Sequence, residues 1–224
     1  MKIALDGPSG AGKSSLARAI AERKRIVYVD TGALYRSIGL YVRSQNIDPK
    51  NEAAVTACLP EIELRMTHEG GEQHIYLCGE NVGDKIRTPE MSMYASAVSA
   101  IPAVRTFLLD TQRNIAATTD VIMDGRDIGT VILPDADVKI FLTASPEARA
   151  RRRAAELAAK GIVTTYEEVL ADMAERDKND STRKTAPAIP AEDAVFLDNS
   201  DLTVEETIEK ALSIIDEKIL KTNG

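Results

Sequence analysis

Lys2 to Asp6 is a short apolar run that ends in the turn-forming Gly7-Pro8-Ser9-Gly10-Ala11-Gly12. A continuous run of this length reads as a strand buried on both faces of a parallel sheet. From Ser14 to Arg23 the apolar positions take helical spacing, with Leu16, Ile20 and the alanines on one side. Ile26 to Val29 predicts a second strand, closed by Asp30. Thr31 then reads as the N-cap of a helix carrying Leu34, Ile38 and Tyr41. Strand, helix, strand, helix is the rhythm of an α/β fold built on a parallel sheet.

The middle of the chain breaks this rhythm. Glu61 to Thr67 alternates strictly, the mark of a half-solvated antiparallel strand. Gly70-Gly71 supplies a turn, and Gln73 to Cys78 returns with Ile75 and Leu77 on one face. Thr88-Pro89, a cap followed by proline at the first helical position, restarts helix. A small β-rich insertion over about residues 60–88 therefore interrupts one core domain, about 1–59 and 89–224. Helices follow over roughly 89–118, and Val121–Asp124 and Val138–Leu142 are two further core strands. Ser145-Pro146-Glu147 opens a helix with arginines at 149, 151, 152 and 153, and Thr164 or Thr165 caps another reaching about Asp177. Lys178 to Asp193 reads as a polar loop, and Val195–Leu197 as a last short strand. Thr203-Val204-Glu205-Glu206 is a capping box for a closing amphipathic helix.

Composition narrows the functional field. The 224 residues carry 35 acidic against 28 basic side chains, a formal charge of -7, so a broad grip on nucleic-acid backbone is disfavoured. No apolar run approaches the roughly 20 residues of a membrane span, and the N-terminus reaches a charge too early for a signal-peptide core. The expectation is a cytoplasmic monomer with neither membrane nor nucleic-acid partners. Cys58 and Cys78 lack metal-ligand company and read as buried small hydrophobes in a reducing compartment, and His68 and His74 as surface residues.

Gly7-Pro8-Ser9-Gly10-Ala11-Gly12-Lys13-Ser14 has two glycines, a lysine and a hydroxyl at the spacing of a phosphate-binding loop, and Ser15 continues it into the helix. Glycines let backbone N–H groups curl around phosphate oxygens while the helix points its positive end at them. Lys13, on what reads as a solvent-facing loop, would reach the β- and γ-phosphates, and the Ser14 hydroxyl would ligate Mg²⁺. Such a loop alone does not separate a kinase from a switch. Arginine recurs at 36, 105, 126, 176 and 183, at loops or helix ends, and its planar fork suits migrating phosphoryl charge. Arg126 follows a core strand and a glycine, where ligand-facing residues of an open parallel sheet lie. Arg149, Arg152 and Arg153 share a helical face, which fits either a salt-bridged surface or a lid over about residues 148–178 that lays arginines over a nucleotide.

These residues resemble the bacterial cytidylate kinase family over nearly the whole chain. The stretches that carry the resemblance are Asp6 to Lys13, Asp30-Thr31-Gly32-Ala33-Leu34-Tyr35-Arg36, Asp124-Gly125-Arg126-Asp127-Ile128-Gly129-Thr130, Pro134-Asp135-Ala136, Lys139 to Leu142, Arg176-Asp177 and Asp180-Ser181-Thr182-Arg183. The resemblance implies a phosphate-loop kinase fold with a helical lid, and transfer of a phosphoryl group from ATP to CMP or dCMP with Mg²⁺. It implies that Thr31, Tyr35, Arg36 and Arg126 surround the acceptor phosphate and that Ser96, Arg105 and Asp127 read cytosine. Arg176 and Asp180 would meet the ribose hydroxyls, and Arg183 would work near the phosphates. Gly7 to Ser15 would hold ATP, and Lys13, Arg126, Arg183, Arg152 and Arg153 would be the catalytic set. Met91, Met93 and Tyr94 depart from the smaller residues expected on their helix. A kinase for another small acceptor and a nucleotide-dependent switch are the competing readings. Crowded arginines oppose the switch, since two phosphate-bearing substrates need more positive charge than one.

Overall fold

The computed structural model describes residues 1–69 and 72–222, so the expected Gly70-Gly71 turn lies outside the described residues. Strand β1 (Lys2–Asp6) leads through the glycine-rich turn into α1 (Lys13–Lys24), followed by β2 (Val27–Asp30), α2 (Thr31–Ser44) and α3 (Glu52–Cys58). Three short strands come next: β3 (Leu64–Glu69), β4 (Glu72–Leu77) and β5 (Glu80–Asn81). Helices α4 (Pro89–Val98) and α5 (Pro102–Thr118) return the chain to β6 (Val121–Gly125). The remainder is β7 (Val138–Thr143), α6 (Pro146–Ala159), α7 (Tyr166–Thr182), β8 (Val195–Asp198) and α8 (Val204–Thr222).

The main sheet is parallel throughout, in the order β2-β6-β1-β7-β8. Its central strand is apolar on both faces for a visible reason. Ile3 and Leu5 pack with Leu16, Ile20 and Ile215 of α1 and α8, while Ala4 points the other way to Val29, Met123 and Ile128. Each such large side chain, fully buried, contributes roughly 1.5–3 kcal/mol. Register places Asp30 opposite Asp124 and Asp6 opposite Gly125, so the carboxyl ends of β1, β2 and β6 deliver acidic residues to one edge.

The small antiparallel sheet β3-β4-β5 packs Ile75 and Leu77 into the same apolar cluster as Leu34 and Ile38 of α2. It also covers edge strand β2. Gln73 accepts from the Asp30 N–H at 2.8 Å and donates to the Asp30 carbonyl at 3.2 Å, and His68 Nε2 lies 3.0 Å from the Tyr28 carbonyl oxygen. Side chains thus occupy backbone groups that an edge would leave open. His68 is therefore a half-buried tie between the two sheets and not the surface residue expected.

Several local expectations change. Asp30, not Thr31, caps α2, its carboxylate accepting from Ala33 N–H at 3.0 Å. Helix α3 and strand β5 lack a long periodic signal and were not anticipated. Cys58 is buried, but Cys78 is exposed, at a left-handed φ of 48° just after β4. Helix α7 runs past Asp177 to Thr182, through residues whose composition resembles a turn. Thr182 Oγ1 donates back to the Lys178 carbonyl at 2.7 Å, and Arg126 holds the Asp180 carboxylate at 2.9 Å, which keeps the last turn helical. The capping box at Thr165 and the one at Thr203 both form. Among the described residues no single helix is long and apolar enough to cross a membrane.

Helices α2 and α4 meet closely at Gly39. A Cβ there would stand 2.8 Å from Tyr94 Cβ, so the larger residue on α4 is accommodated by the smallest one on α2. Met91 fills the core and Met93 is exposed. Gly39→Ala is expected to lower unfolding free energy by about 1–3 kcal/mol through overpacking, against the usual gain of alanine in a helix. Denaturant melts of both proteins check this, and an unchanged or raised midpoint contradicts the close packing.

Candidate active site

The turn after β1 needs glycine at its first position. Gly7 has φ of 151°, and a Cβ would run into the Leu142 carbonyl of neighbouring β7. Lys13 opens α1, and its side chain is buried, not solvent-facing as the sequence suggested. Its Nζ donates to the Pro8 carbonyl at 2.7 Å. Burial, and then repulsion from Arg126, pull its pKa well below the ordinary lysine value. An ammonium held this way gains from an arriving anion.

Ser14 Oγ donates to Asp124 Oδ2 at 2.9 Å, and Tyr28 OH donates to Asp124 Oδ1 at 3.0 Å. Burial, and then neighbouring Asp30, push the Asp124 carboxyl up to about 6. A hydroxyl beside strand-end carboxylates at a helix N-terminus fits magnesium, which takes one or two protein oxygens and completes its shell with water and phosphate. Ser14 and Asp124 are the residues that could hold it. The sequence named Ser14 alone. Asp124 was legible only as the first residue of the Asp-Gly-Arg-Asp stretch, and the register that sets it beside Asp30 was not.

Every acceptor-side residue named from sequence lines one open cavity of about 630 Å³, together with Lys13, Ser14, Ser15, Arg152 and Arg153. Ser9, Gly10 and Gly12 also line it, whereas Gly7, Pro8 and Ala11 lie behind its wall. Thr31 Oγ1 is committed as a donor to the Asp124 carbonyl at 2.8 Å, so toward a ligand it offers lone pairs. Arg36 pairs with Asp30 at 2.7 Å. Asp180 binds Arg126 Nε at 2.9 Å and accepts from Ser96 Oγ at 3.2 Å. Burial pushes the Asp180 carboxyl up, but Arg126 and Arg176 outweigh it and hold it below the usual range. Burial and Arg126 lower Arg176 to about 10. The Nε atoms of Arg36 and Arg176 are buried without a partner among the described residues, so each has a donor to spare for a further acceptor.

Arg105 and Asp127 form a buried ion pair, with Arg183 3.5 Å from the other Asp127 oxygen. Arg105 also lies 5.4 Å over the Tyr35 ring. Ser99, missed in sequence, orients both arginines: its carbonyl accepts from Arg105 at 3.1 Å and its hydroxyl from Arg183 at 3.0 Å. It sits three residues after Ser96 on the same helical face, the one signal that pointed to it.

Three of the four arginines of α6 take different roles. Arg149 is buried and clamps the loop, donating to the carbonyls of Ser9 at 2.8 Å and Ala144 at 3.0 Å and pairing with Asp177. Asp177 in turn accepts from Ser9 N–H at 3.1 Å. Arg152 lines the cavity, held by Asn199, and Arg153, which also lines it, pairs with Glu156 at 2.8 Å. Asp6, quoted in the sequence only as the residue before the loop, fixes the other wall. Its two oxygens accept from the N–H groups of Ile128 and Gly129, each at 2.8 Å, directly behind Arg126 and Asp127.

The cytidylate kinase family model matches residues 3–217. The chain belongs to the cytidylate kinase family. It is 48% identical over 217 residues to the cytidylate kinase of Fervidobacterium nodosum, covering 97% of each chain. It is 46% identical over 217 residues to that of Thermosipho melanesiensis, again covering 97% of each. The crystal structure of an uncharacterised protein from Eubacterium ventriosum superposes with a TM-score of 0.50 at 12% identity, covering 96% of this chain and 98% of that one, a likeness of fold alone. Family membership makes the protein an enzyme, a nucleoside monophosphate kinase.

Asp6 generates a test of the loop anchor. Burial raises its carboxyl to about 6, although the two backbone N–H groups pull the other way. The native state therefore holds this proton more tightly than the unfolded chain, and its contribution is complete below about pH 4 and lost as pH rises through about 6. Asp6→Asn lacks that decline. Its thermal stability relative to the parent should improve steadily from pH 4 to pH 7, and a constant or widening deficit contradicts the burial.

Proposed function

We propose that the protein transfers the γ-phosphoryl group of ATP to CMP and dCMP, in line and with magnesium. The observation that carries this reading is the buried adjacency of Arg105 and Asp127 on the cavity wall. Arginine only donates hydrogen bonds and a carboxylate only accepts them. Cytosine presents a ring-nitrogen acceptor beside an amino donor, whereas uracil presents the reverse. A neighbouring donor and acceptor therefore complement cytosine and oppose uracil. Unpaired polar groups in a buried site support discrimination of roughly 10⁴-fold. Ser96, tied to Asp180, borders this wall, and Arg176 with Asp180 meets the sugar hydroxyls.

Lys13 and the backbone N–H groups from Gly10 to Ser15 cradle the donor phosphates. Arg36, Arg126 and Arg183 approach from the acceptor side and take up charge as it spreads over the migrating phosphoryl oxygens. Arg152 and Arg153 add charge from the lid and help exclude water. Magnesium, when bound at Ser14 and Asp124, supplies charge neutralisation at the donor oxygens. The protein needs no general base, because the attacking phosphate oxygen is already anionic.

A coupled ADP-release assay with ATP and Mg²⁺ across nucleoside monophosphates tests the reading. The highest kcat/KM should fall on CMP and dCMP. Steady ADP release that ignores the acceptor would mark a hydrolysing switch, and preference for a different monophosphate would reassign the substrate. Asp127→Asn, which can donate as well as accept, should narrow the ratio of kcat/KM for CMP over UMP, chiefly by raising the KM for CMP. An equal loss for both bases makes Asp127 structural and places base selection elsewhere.

A further inference from the structure

We propose that Asn199 is a positioning residue for the donor phosphates, fixing the Ala11–Gly12 peptide so that the Gly12 N–H faces the phosphate cradle. This rests on the reading that the glycine-rich loop receives ATP. Asn199 follows β8, is 5% exposed, and is anchored by its own N–H to the Thr143 carbonyl at 2.9 Å. Its Nδ2 donates to the Ala11 carbonyl at 3.0 Å. The two ends of the amide are not interchangeable here. Arg152 donates to Oδ1 at 3.0 Å and to the Asn199 carbonyl at 2.6 Å. Arginine has no acceptor, so the oxygen must face Arg152 and the NH₂ must face Ala11.

The consequence for the loop follows from peptide geometry. In a planar trans peptide the C=O and the next N–H point in opposite directions. Holding the Ala11 carbonyl on the Asn199 side therefore turns the Gly12 N–H to the other side. Ala11 is fully buried and off the cavity wall, while Gly12 lines the cavity and Asn199, itself 5% exposed, borders it. Among the described residues no group accepts from the Gly12 N–H. The same contact ties the loop to α6 through Arg152, so lid helix and phosphate donors share one rigid amide.

The test is calorimetric titration of the full-length protein and its variants with three probes: ADP, inorganic tripolyphosphate and CMP. Asn199→Leu keeps the approximate shape and adds no charge, yet can neither donate to Ala11 nor accept from Arg152. Arg152→Leu, which leaves the Ala11 bond in place, is titrated beside it, and a loss in that variant as large as in Asn199→Leu assigns the effect to Arg152 and overturns the proposal. Removing a buried donor from its acceptor should weaken ADP and tripolyphosphate by roughly 10-fold or more, with CMP changed by less than about twofold. Affinity for ADP and tripolyphosphate equal to the parent's overturns the proposal. Equal losses for all three probes show general loosening and also overturn it. Loss for ADP without loss for tripolyphosphate makes Asn199 a base contact, a third contrary result. Should the leucine variant melt at assay temperature, Asn199→Asp serves instead, since it keeps the Arg152 pair but sets an acceptor against the Ala11 carbonyl. Retained affinity for tripolyphosphate in that variant overturns the proposal. These titrations involve no turnover, so they stand apart from whether CMP is the acceptor in the ADP-release assay.

Discussion

Lys13, Arg126 and Arg176 repel one another at the carboxyl edge of the sheet, and the rest of the site is arranged to hold them there. A protein with a net charge of -7 has negative charge to spare, but most of it is spread over the surface. What steadies the cationic cluster is a small set of buried carboxylates, Asp124 and Asp6 beside Lys13 and Asp180 beside Arg126 and Arg176. Breaking a buried pair costs about 3–5 kcal/mol, whereas an exposed one such as Arg23–Glu209 is worth about 0–1 kcal/mol. The Arg126–Asp180 and Arg105–Asp127 contacts therefore decide the geometry of the cavity, and the surface pairs do not.

This arrangement explains why the fold is built as it is. Parallel strands end together, so Asp6, Asp30 and Asp124 arrive at one edge without any long-range device beyond register. Each is then used differently by its surroundings. Asp6 anchors the backbone behind Arg126 and Asp127, Asp30 caps α2 and pairs with Arg36, and Asp124 receives Ser14 and Tyr28. Carbonyls of the glycine-rich loop are held by distant side chains in the same manner, that of Ser9 by Arg149 and that of Ala11 by Asn199.

Motif residues were legible because their chemistry is local. The glycine-rich loop shows in spacing alone, and Arg126 shows as the residue after a buried strand and a glycine. Helix α7 extends beyond its expected end because Lys178 to Thr182, with the composition of a turn, is held helical by contacts with Arg126 and with its own carbonyls. The burial of Lys13 and the orienting roles of Ser99, Arg149 and Asn199 depend on partners far away in the chain, from 84 to 188 residues for the last three. No periodicity reports such pairings. The exposure of Cys78 is likewise a matter of where β4 ends, not of residue type.

The mutual repulsion of Lys13, Arg126 and Arg176 is expected to be relieved by a bound phosphate. The most direct measurement is the melting temperature of the unliganded protein titrated with inorganic tripolyphosphate, against sodium chloride at matched ionic strength. A saturable rise with tripolyphosphate well beyond that with chloride is expected, because a multivalent anion bound only by the native state adds its binding free energy to folding. Superimposable curves for the two salts would contradict it, leaving the arginines as a solvated surface without a built anion site.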